Sequence, residues 1–241
     1  KYDKMWDKHR LSALVGYSYN YNMYQGFSGW NSDFPTEGFL YNALSSGSNY
    51  ILDEDGKLQR HLAGASSYKN DDKLIGFFGR ISYGYDDRYN VLVSFRREGS
   101  SKFGADHKWG TFPSASLGWN IHNAEFMSNT QHWPSTLKLR AGSGLTGIIP
   151  GSSYASLVTY DYDTYNKFYN PATGKWEKAL MATQNPNPDL HWETSSEFNV
   201  GVDFGFFNDR LSGSIDVYNK TTSGLLYSYA VPLPPNLHNS T

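Results

Sequence analysis

The chain contains no cysteine, so a disulfide framework and a thiolate metal site are both excluded. It has no marked excess of charge of either sign. Against 21 Lys and Arg stand 23 Asp and Glu, a formal net charge of −2 that supplies no basic footprint for nucleic acid. It also lacks any apolar run near the ~20 residues that a spanning helix needs. The most apolar stretches, such as Leu74 to Phe78 and Val91 to Phe95, are short. A membrane protein of spanning helices is therefore excluded, whereas a β-barrel stays open because it crosses with short amphipathic strands. No secretory leader pattern is visible at Lys1.

Aromatic residues, in contrast, are plentiful. They make up 17% of the chain, led by 19 Tyr, yet the mean hydropathy is negative. A chain that is aromatic and polar at once suits strands with one face toward lipid and the other toward water. The period agrees, being two rather than 3.6. From His9 to Asn20, Leu11, Ala13, Val15, Tyr17 and Tyr19 oppose Ser12, Leu14, Gly16, Ser18 and Asn20, a mostly small or polar face. From Leu74 to Asp86, Ile75, Phe77, Ile81, Tyr83 and Tyr85 oppose Gly76, Phe78, Arg80, Ser82, Gly84 and Asp86. The same alternation predicts strands over Tyr89 to Glu98, Ser114 to Ile121, Leu137 to Thr146, Leu190 to Phe206 and Arg210 to Lys220. Trp192 falls with the apolar set of the sixth strand, and Arg96, Lys138, Arg140, Glu193, Glu197 and Asp203 fall with the polar sets.

Longer and shorter connections alternate along the chain. Tyr21 to Lys73, Arg97 to Pro113 and Gly147 to Asp189 are long, whereas Asp87-Arg88 and Phe207-Asn208-Asp209 are tight turns. The segment His122 to Thr136 falls on the short side and can hold a short helix from Ala124 to Ser128. Antiparallel strands send every second connection to the same end, so the long loops share one rim, as in outer-membrane barrels. A β-sandwich or propeller is the alternative fold, but packing two sheets through faces of Gly, Ser, Asn and charge would bury unpaired polar groups.

Motifs that suggest chemistry read better as structure. Gly142-Ser143-Gly144-Leu145-Thr146-Gly147 fits a dinucleotide fingerprint, but Pro150 and Gly151 follow where a helix must open. Glu193 and Glu197 sit four residues apart on one strand, roughly 13 Å, beyond the separation of a glycosidase pair. The seven histidines show no metal-ligand spacing, and Asp53-Glu54-Asp55-Gly56 lacks the rest of a calcium loop, reading instead as a hairpin tip. No enzyme and no cofactor are expected. The ambiguous signal is the loop aromatics. Trp30, Tyr50, Trp109, Tyr160, Tyr162, Tyr165, Tyr169 and Trp176 have the chemistry to stack on sugars or to pack against a lid. Tyr17, Tyr19, Tyr83, Tyr85, Tyr89 and Trp119, near strand ends, read as interfacial girdles.

Several ordered motifs carry a family resemblance. Arg96-Arg97-Glu98-Gly99-Ser100-Ser101-Lys102-Phe103-Gly104 is followed by Lys108-Trp109-Gly110-Thr111-Phe112-Pro113-Ser114 and Ser116-Leu117-Gly118-Trp119. Then come Leu137-Lys138-Leu139-Arg140-Ala141, Gly144-Leu145-Thr146-Gly147, Asn187-Pro188-Asp189-Leu190-His191-Trp192-Glu193-Thr194, Phe206-Phe207-Asn208-Asp209-Arg210-Leu211-Ser212-Gly213 and Tyr218-Asn219-Lys220. Over about Leu74 to Leu226 the chain resembles the SusC-like (RagA/SusC) TonB-dependent transporters. The resemblance implies an all-β, antiparallel transmembrane barrel in a Gram-negative outer membrane. It implies uptake of glycan, or alternatively peptide, with a SusD-like lipoprotein lid and TonB as partners. The expectation is that residues 1–241 are a segment of that barrel, with neither the plug, the TonB-contacting part nor the closing strand. Arg80, Arg96, Lys138, Arg140, Glu193, Glu197 and Asp203 are then expected to face the lumen. A passive porin or an adhesin is the alternative function.

Overall fold

The computed structural model describes residues 1–38, 40–48, 50–52, 55–61, 64–130 and 134–238. Its strands are β1 (Tyr2–Trp6), β2 (His9–Trp30), β3 (Tyr50–Leu52), β4 (Leu58–His61), β5 (Gly64–Tyr85), β6 (Tyr89–Ser100), β7 (Trp109–Asn120), β8 (Thr136–Ile148), β9 (Thr159–Asn170), β10 (Lys175–Gln184), β11 (Glu193–Phe206) and β12 (Leu211–Ser223). Eight form one sheet in the order β1-β2-β5-β6-β7-β8-β11-β12. The hairpins β3–β4 and β9–β10 stand outside it. With those hairpins set aside, every sheet neighbour is also a sequence neighbour, which is the connectivity of an up-and-down barrel wall. By internal contacts the chain divides into two units, Tyr21–Asp72 and the remainder.

All seven strands expected from the alternation are present, and three further features appear. β2 continues to Trp30 and β5 begins at Gly64, where a long polar loop was expected. The β5 extension has no apolar periodicity, and the β2 extension carries aromatics on both faces, Tyr21 and Phe27 on one and Tyr24 and Trp30 on the other. The two pair through polar contacts, such as the Ser28 and Ser66 hydroxyls at 2.6 Å and Asn22 Nδ2 donating to Asp72 at 3.0 Å. A strand whose two faces both meet water leaves no period-two signal to read. β1 and the β9–β10 hairpin also escaped the alternation, for the same reason. β3 and β4 bracket the expected hairpin tip, of which Asp53 and Glu54 lie outside the described residues. The short helix expected at Ala124 to Ser128 is a pair of 3-10 turns, Ile121–Asn123 and Glu125–Thr130.

The connections alternate as read. Asp7-Lys8, Asp86 to Arg88, the described residues 121–130 and 134–135, and Phe207 to Arg210 lie at one end of the strands. Residues 101–108 and 149–192 lie at the other. In the turn after β5, Asp86 and Asp87 have φ of 52° and 48°, and Arg88 N donates to Tyr85 O at 2.9 Å. Two successive left-handed residues make the turn whose twist matches antiparallel strands. At this end Asp86 pairs with Lys8 at 3.1 Å and Arg88 at 3.2 Å, while Asn120 Nδ2 donates to Asp87 O at 2.6 Å, so adjacent turns are tied together.

Register sets the two faces. One row runs Ile81↔Val93↔Ala115, and others run Leu117↔Ala141↔Val200↔Val217 and Trp119↔Leu139↔Val202↔Ile215. This face is a continuous apolar belt. The opposite face carries Ser82↔Leu92↔Ser116↔Gly142↔Asn199 and Arg80↔Ser94↔Ser114↔Gly144↔Glu197↔Lys220. Among the described residues the only buried hydrophobic side chains are Phe103, Phe112, Ala124 and Trp192. A sheet of this size with so small a core leaves its apolar face bare. Val15 is 82% exposed and Val217 is 71% exposed. Contiguous bare apolar surface on that scale requires a cover.

Candidate functional site

Arg80, Arg96, Lys138, Arg140, Glu193, Glu197 and Asp203 all lie on the face opposite the apolar belt, by strand register. The period-two pleat puts them there, because each is an odd number of residues from a belt residue on its own strand. Their strongest cluster centres on Arg140. Its Nε and Nη2 donate to the two carboxylate oxygens of Asp203 at 2.9 and 2.8 Å, and Nη2 also reaches Asp216 Oδ2 at 3.2 Å. This planar fork spans β8, β11 and β12 and fixes the guanidinium. Lys138 pairs with Asp203 in register, and Glu197 with Lys220. Arg96 is paired with Glu98 and lies over the Phe78 ring at 5.7 Å. Glu193 accepts from Leu226 N at 3.0 Å. Beside Arg140, the small residues Ser116, Gly118 and Gly142 leave a shallow depression of about 300 Å³ with Ser82, Asn90 and Asn199. The arrangement offers hydrogen-bond donors and acceptors to a polar surface or solute. It presents no nucleophile–base pair, and among the described residues no group of three metal-ligating side chains comes together.

A second construction was not legible beforehand. The motif Ser100 to Gly104, the strand residue Phe112 and the segment 187–192 meet in a small aromatic core. Trp192 packs on Phe103 at 4.8 Å and edge-on to Phe112 at 5.1 Å, with Leu74, Ile149 and Leu190 against them. Trp192 therefore leaves the apolar set assigned to it. β11 begins only at Glu193, and the indole turns to the polar side, where Nε1 donates to Lys108 O at 3.1 Å. The fit depends on glycines. A Cβ on Gly147 would lie 2.2 Å from the Phe112 ring and 2.8 Å from Trp192, and one on Gly104 would lie 1.7 Å from Pro188 O. Gly104 N donates to Leu190 O at 3.2 Å. Lys102, 8% exposed, donates from Nζ to the carbonyls of Pro150 and Gly151 at 3.0 and 3.1 Å. One available signal was Phe112, an aromatic residue on the strand face otherwise made of Gly and Ser.

This core anchors the base of the β9–β10 hairpin. Gln184 Nε2 donates to the carbonyls of Tyr154, Ala155 and Leu157, and Asn187 N donates to Ser156 O at 3.0 Å. The hairpin carries Tyr160, Tyr162 and Trp176, all exposed. Tyr169 meets Trp176 edge-on at 5.7 Å. The side chains of Tyr50 and Tyr165 lie outside the described residues. Trp30 lies flat against Gly64 within the unit Tyr21–Asp72. Trp109 is on the apolar face, where it stacks near Phe77 at 6.3 Å. Among the described side chains, Tyr160, Tyr162, Tyr169 and Trp176 thus share the β9–β10 hairpin, and Trp109 is on the apolar face of the sheet.

Comparison with known proteins supplies the wider frame. The family described as TonB dependent receptor-like, beta-barrel matches residues 3–239. The chain is 36% identical to the TonB-dependent receptor SusC of Bacteroides thetaiotaomicron over 185 residues, 76% of this chain and 18% of that protein. It is 32% identical to the TonB-dependent receptor P39 of Formosa agariphila over 233 residues, 97% of this chain and 20% of that protein. Among solved structures, the RagAB peptide transporter superposes with a TM-score of 0.77 at 28% identity, over 96% of this chain and 24% of that one. The chain spans about a fifth of the length of the curated relatives it matches.

Proposed function

The chain belongs to the family of TonB-dependent receptor-like β-barrels, and from that premise we propose that it forms part of the wall of an outer-membrane transporter for active nutrient uptake. The observation that carries this reading is the two-faced sheet, with an apolar belt over β5 to β12 and small and charged residues opposite. Lipid is the cover that the belt requires, since a barrel wall turns such a face outward around its whole circumference. The face of Arg80, Arg96, Lys138, Arg140, Glu193, Glu197 and Asp203 then lines the lumen. Members of the family are transporters rather than enzymes.

Glycan is the first substrate class. Its support is the relation to SusC and the set of exposed loop tyrosines and tryptophans, whose flat apolar faces suit sugar rings. Peptide is the second, favoured by likeness to the RagAB peptide transporter. A SusD-like surface lipoprotein is the proposed partner at the long-loop rim, and TonB the partner through a part of the transporter outside residues 1–241. The test is uptake of labelled oligosaccharides and peptides by cells making the complete transporter, with and without TonB. Accumulation that needs TonB supports active transport. Accumulation that is unchanged without TonB identifies a passive pore and overturns the proposal.

A further inference from the structure

The consecutive arginines Arg96 and Arg97 point to opposite faces of β6, and they have opposite fates. Arg96 reaches the polar face and pairs with Glu98. Arg97 is in register with Phe77 and Thr111 on the apolar face. Its guanidinium lies over the Trp109 ring at 5.5 Å, and among the described residues no carboxylate lies within ion-pair distance of it. Trp109 itself lies against Gly99 and stacks near Phe77, which in turn meets Tyr17 at 5.2 Å. The result is an exposed aromatic shelf carrying one cation with no counter-charge among the described residues.

β7 gives the depth of that shelf. Trp109 and Trp119 lie on the same apolar face ten residues apart. At ~3.3 Å per residue and a tilt of ~40°, they are separated by about 25 Å along the barrel axis, the height of the apolar band of an outer-membrane barrel. Trp119 stacks with Tyr89 at 6.2 Å at the short-turn end. Trp109 therefore marks the other boundary, on the side of the long connections. Arg97 lies two residues short of the level of Gly99, the register partner of Trp109, within reach of the boundary for a long side chain.

We propose that Arg97, held over Trp109 and flanked by Phe77 and Tyr17, binds a phosphate of an anionic lipid headgroup in the outer leaflet. An unpaired guanidinium is costly against acyl chains but presents two parallel donors to a phosphate, while the indole and phenyl rings seat against the upper acyl region. This assignment rests on the membrane reading above.

The test uses the complete transporter, purified from outer membranes and exchanged into vesicles of phosphatidylcholine with or without phosphorylated lipid A. Retention of the labelled lipid through detergent washing is compared for the intact protein and for Arg97→Gln, Arg97→Lys and Arg210→Gln. Arg97→Gln is expected to bind the phosphorylated lipid about tenfold more weakly. Arg97→Lys is expected to fall between, since a point charge lacks the fork, and Arg210→Gln, at a short turn, is expected to match the intact protein. Dephosphorylated lipid A should show no dependence on residue 97. Equal retention by Arg97→Gln and the intact transporter overturns the site, as does equal retention of dephosphorylated lipid. Heat-modifiable gel mobility is read in parallel. A transporter that never reaches a folded, membrane-inserted form overturns the membrane reading itself, and this site with it.

Discussion

At the residue scale, function turns on which side of the pleat a side chain takes. Val15, Val93, Leu139 and Val202 are on the apolar side, whereas Ser12 and Ser116 are on the other. Arginine at a lipid-facing position near the midplane costs roughly 2–4 kcal/mol. Val93→Arg and Leu139→Arg in the complete transporter are therefore expected to lower the folded, heat-modifiable fraction sharply, and Ser116→Arg to lower it little. Equal losses would remove the face assignment. Trp192 supplies a second prediction. Its removal leaves Phe103 and Phe112 without their central partner, at a cost of about 3 kcal/mol. Trp192→Ala is expected to expose residues 149–192 to proteolysis while the strands stay protected, because the anchor holds loops rather than the ladder. Gly147→Val should act similarly, since any Cβ there enters the Phe112 ring.

At the element scale, the β9–β10 hairpin is the feature most easily tested for partner binding. Its strands leave and return side by side, with the Thr159 and Thr183 hydroxyls 2.8 Å apart. Replacing residues 160–182 by a short turn preserves the Gln184 clamp at the base. The shortened transporter is expected to insert normally and to recover less lipoprotein partner or less ligand on affinity purification from membranes. Recovery equal to the intact transporter would show that the hairpin is not a docking surface. Trp109 is a different case among the loop aromatics. Its place beside Phe77 and Arg97 assigns it to the proposed lipid shelf, so Trp109→Ala is expected to leave substrate capture unchanged.

At the scale of the whole molecule, two features set behaviour. Among the described residues the sheet has terminal strands, β1 and β12, each with a single partner, and its apolar belt is exposed. Unpaired edges and bare apolar area both drive association. The isolated 241-residue chain is therefore expected to aggregate in detergent-free buffer, with no sharp, cooperative thermal transition of a monomer. Light scattering and calorimetry decide this. A reversible cooperative transition of a monomeric species would mean that the sheet closes or buries its belt by itself.

How much of this could be read without coordinates depends on whether a residue's role is local. The seven alternating strands, their faces, the alternation of long and short connections and the tight turns at Asp87-Arg88 and Phe207-Asn208-Asp209 were determined by the sequence itself, because the pleat repeats every two residues and an apolar face opposite a polar one makes the repeat visible. Where both faces meet water, as in the outer parts of β2 and β5 and in β9 and β10, nothing sets the faces apart and the strands were invisible. The sequence likewise placed Arg140 and Asp203 on one face, but not within 2.9 Å of each other. Register alone brings residues 63 positions apart into a bidentate pair. The meeting of Phe103, Phe112 and Trp192 was decided by the tertiary structure, since these residues belong to three segments whose only relation is spatial. The same holds for Arg97. Its face follows from counting along β6, but its seat over Trp109 depends on what the neighbouring strand brings alongside.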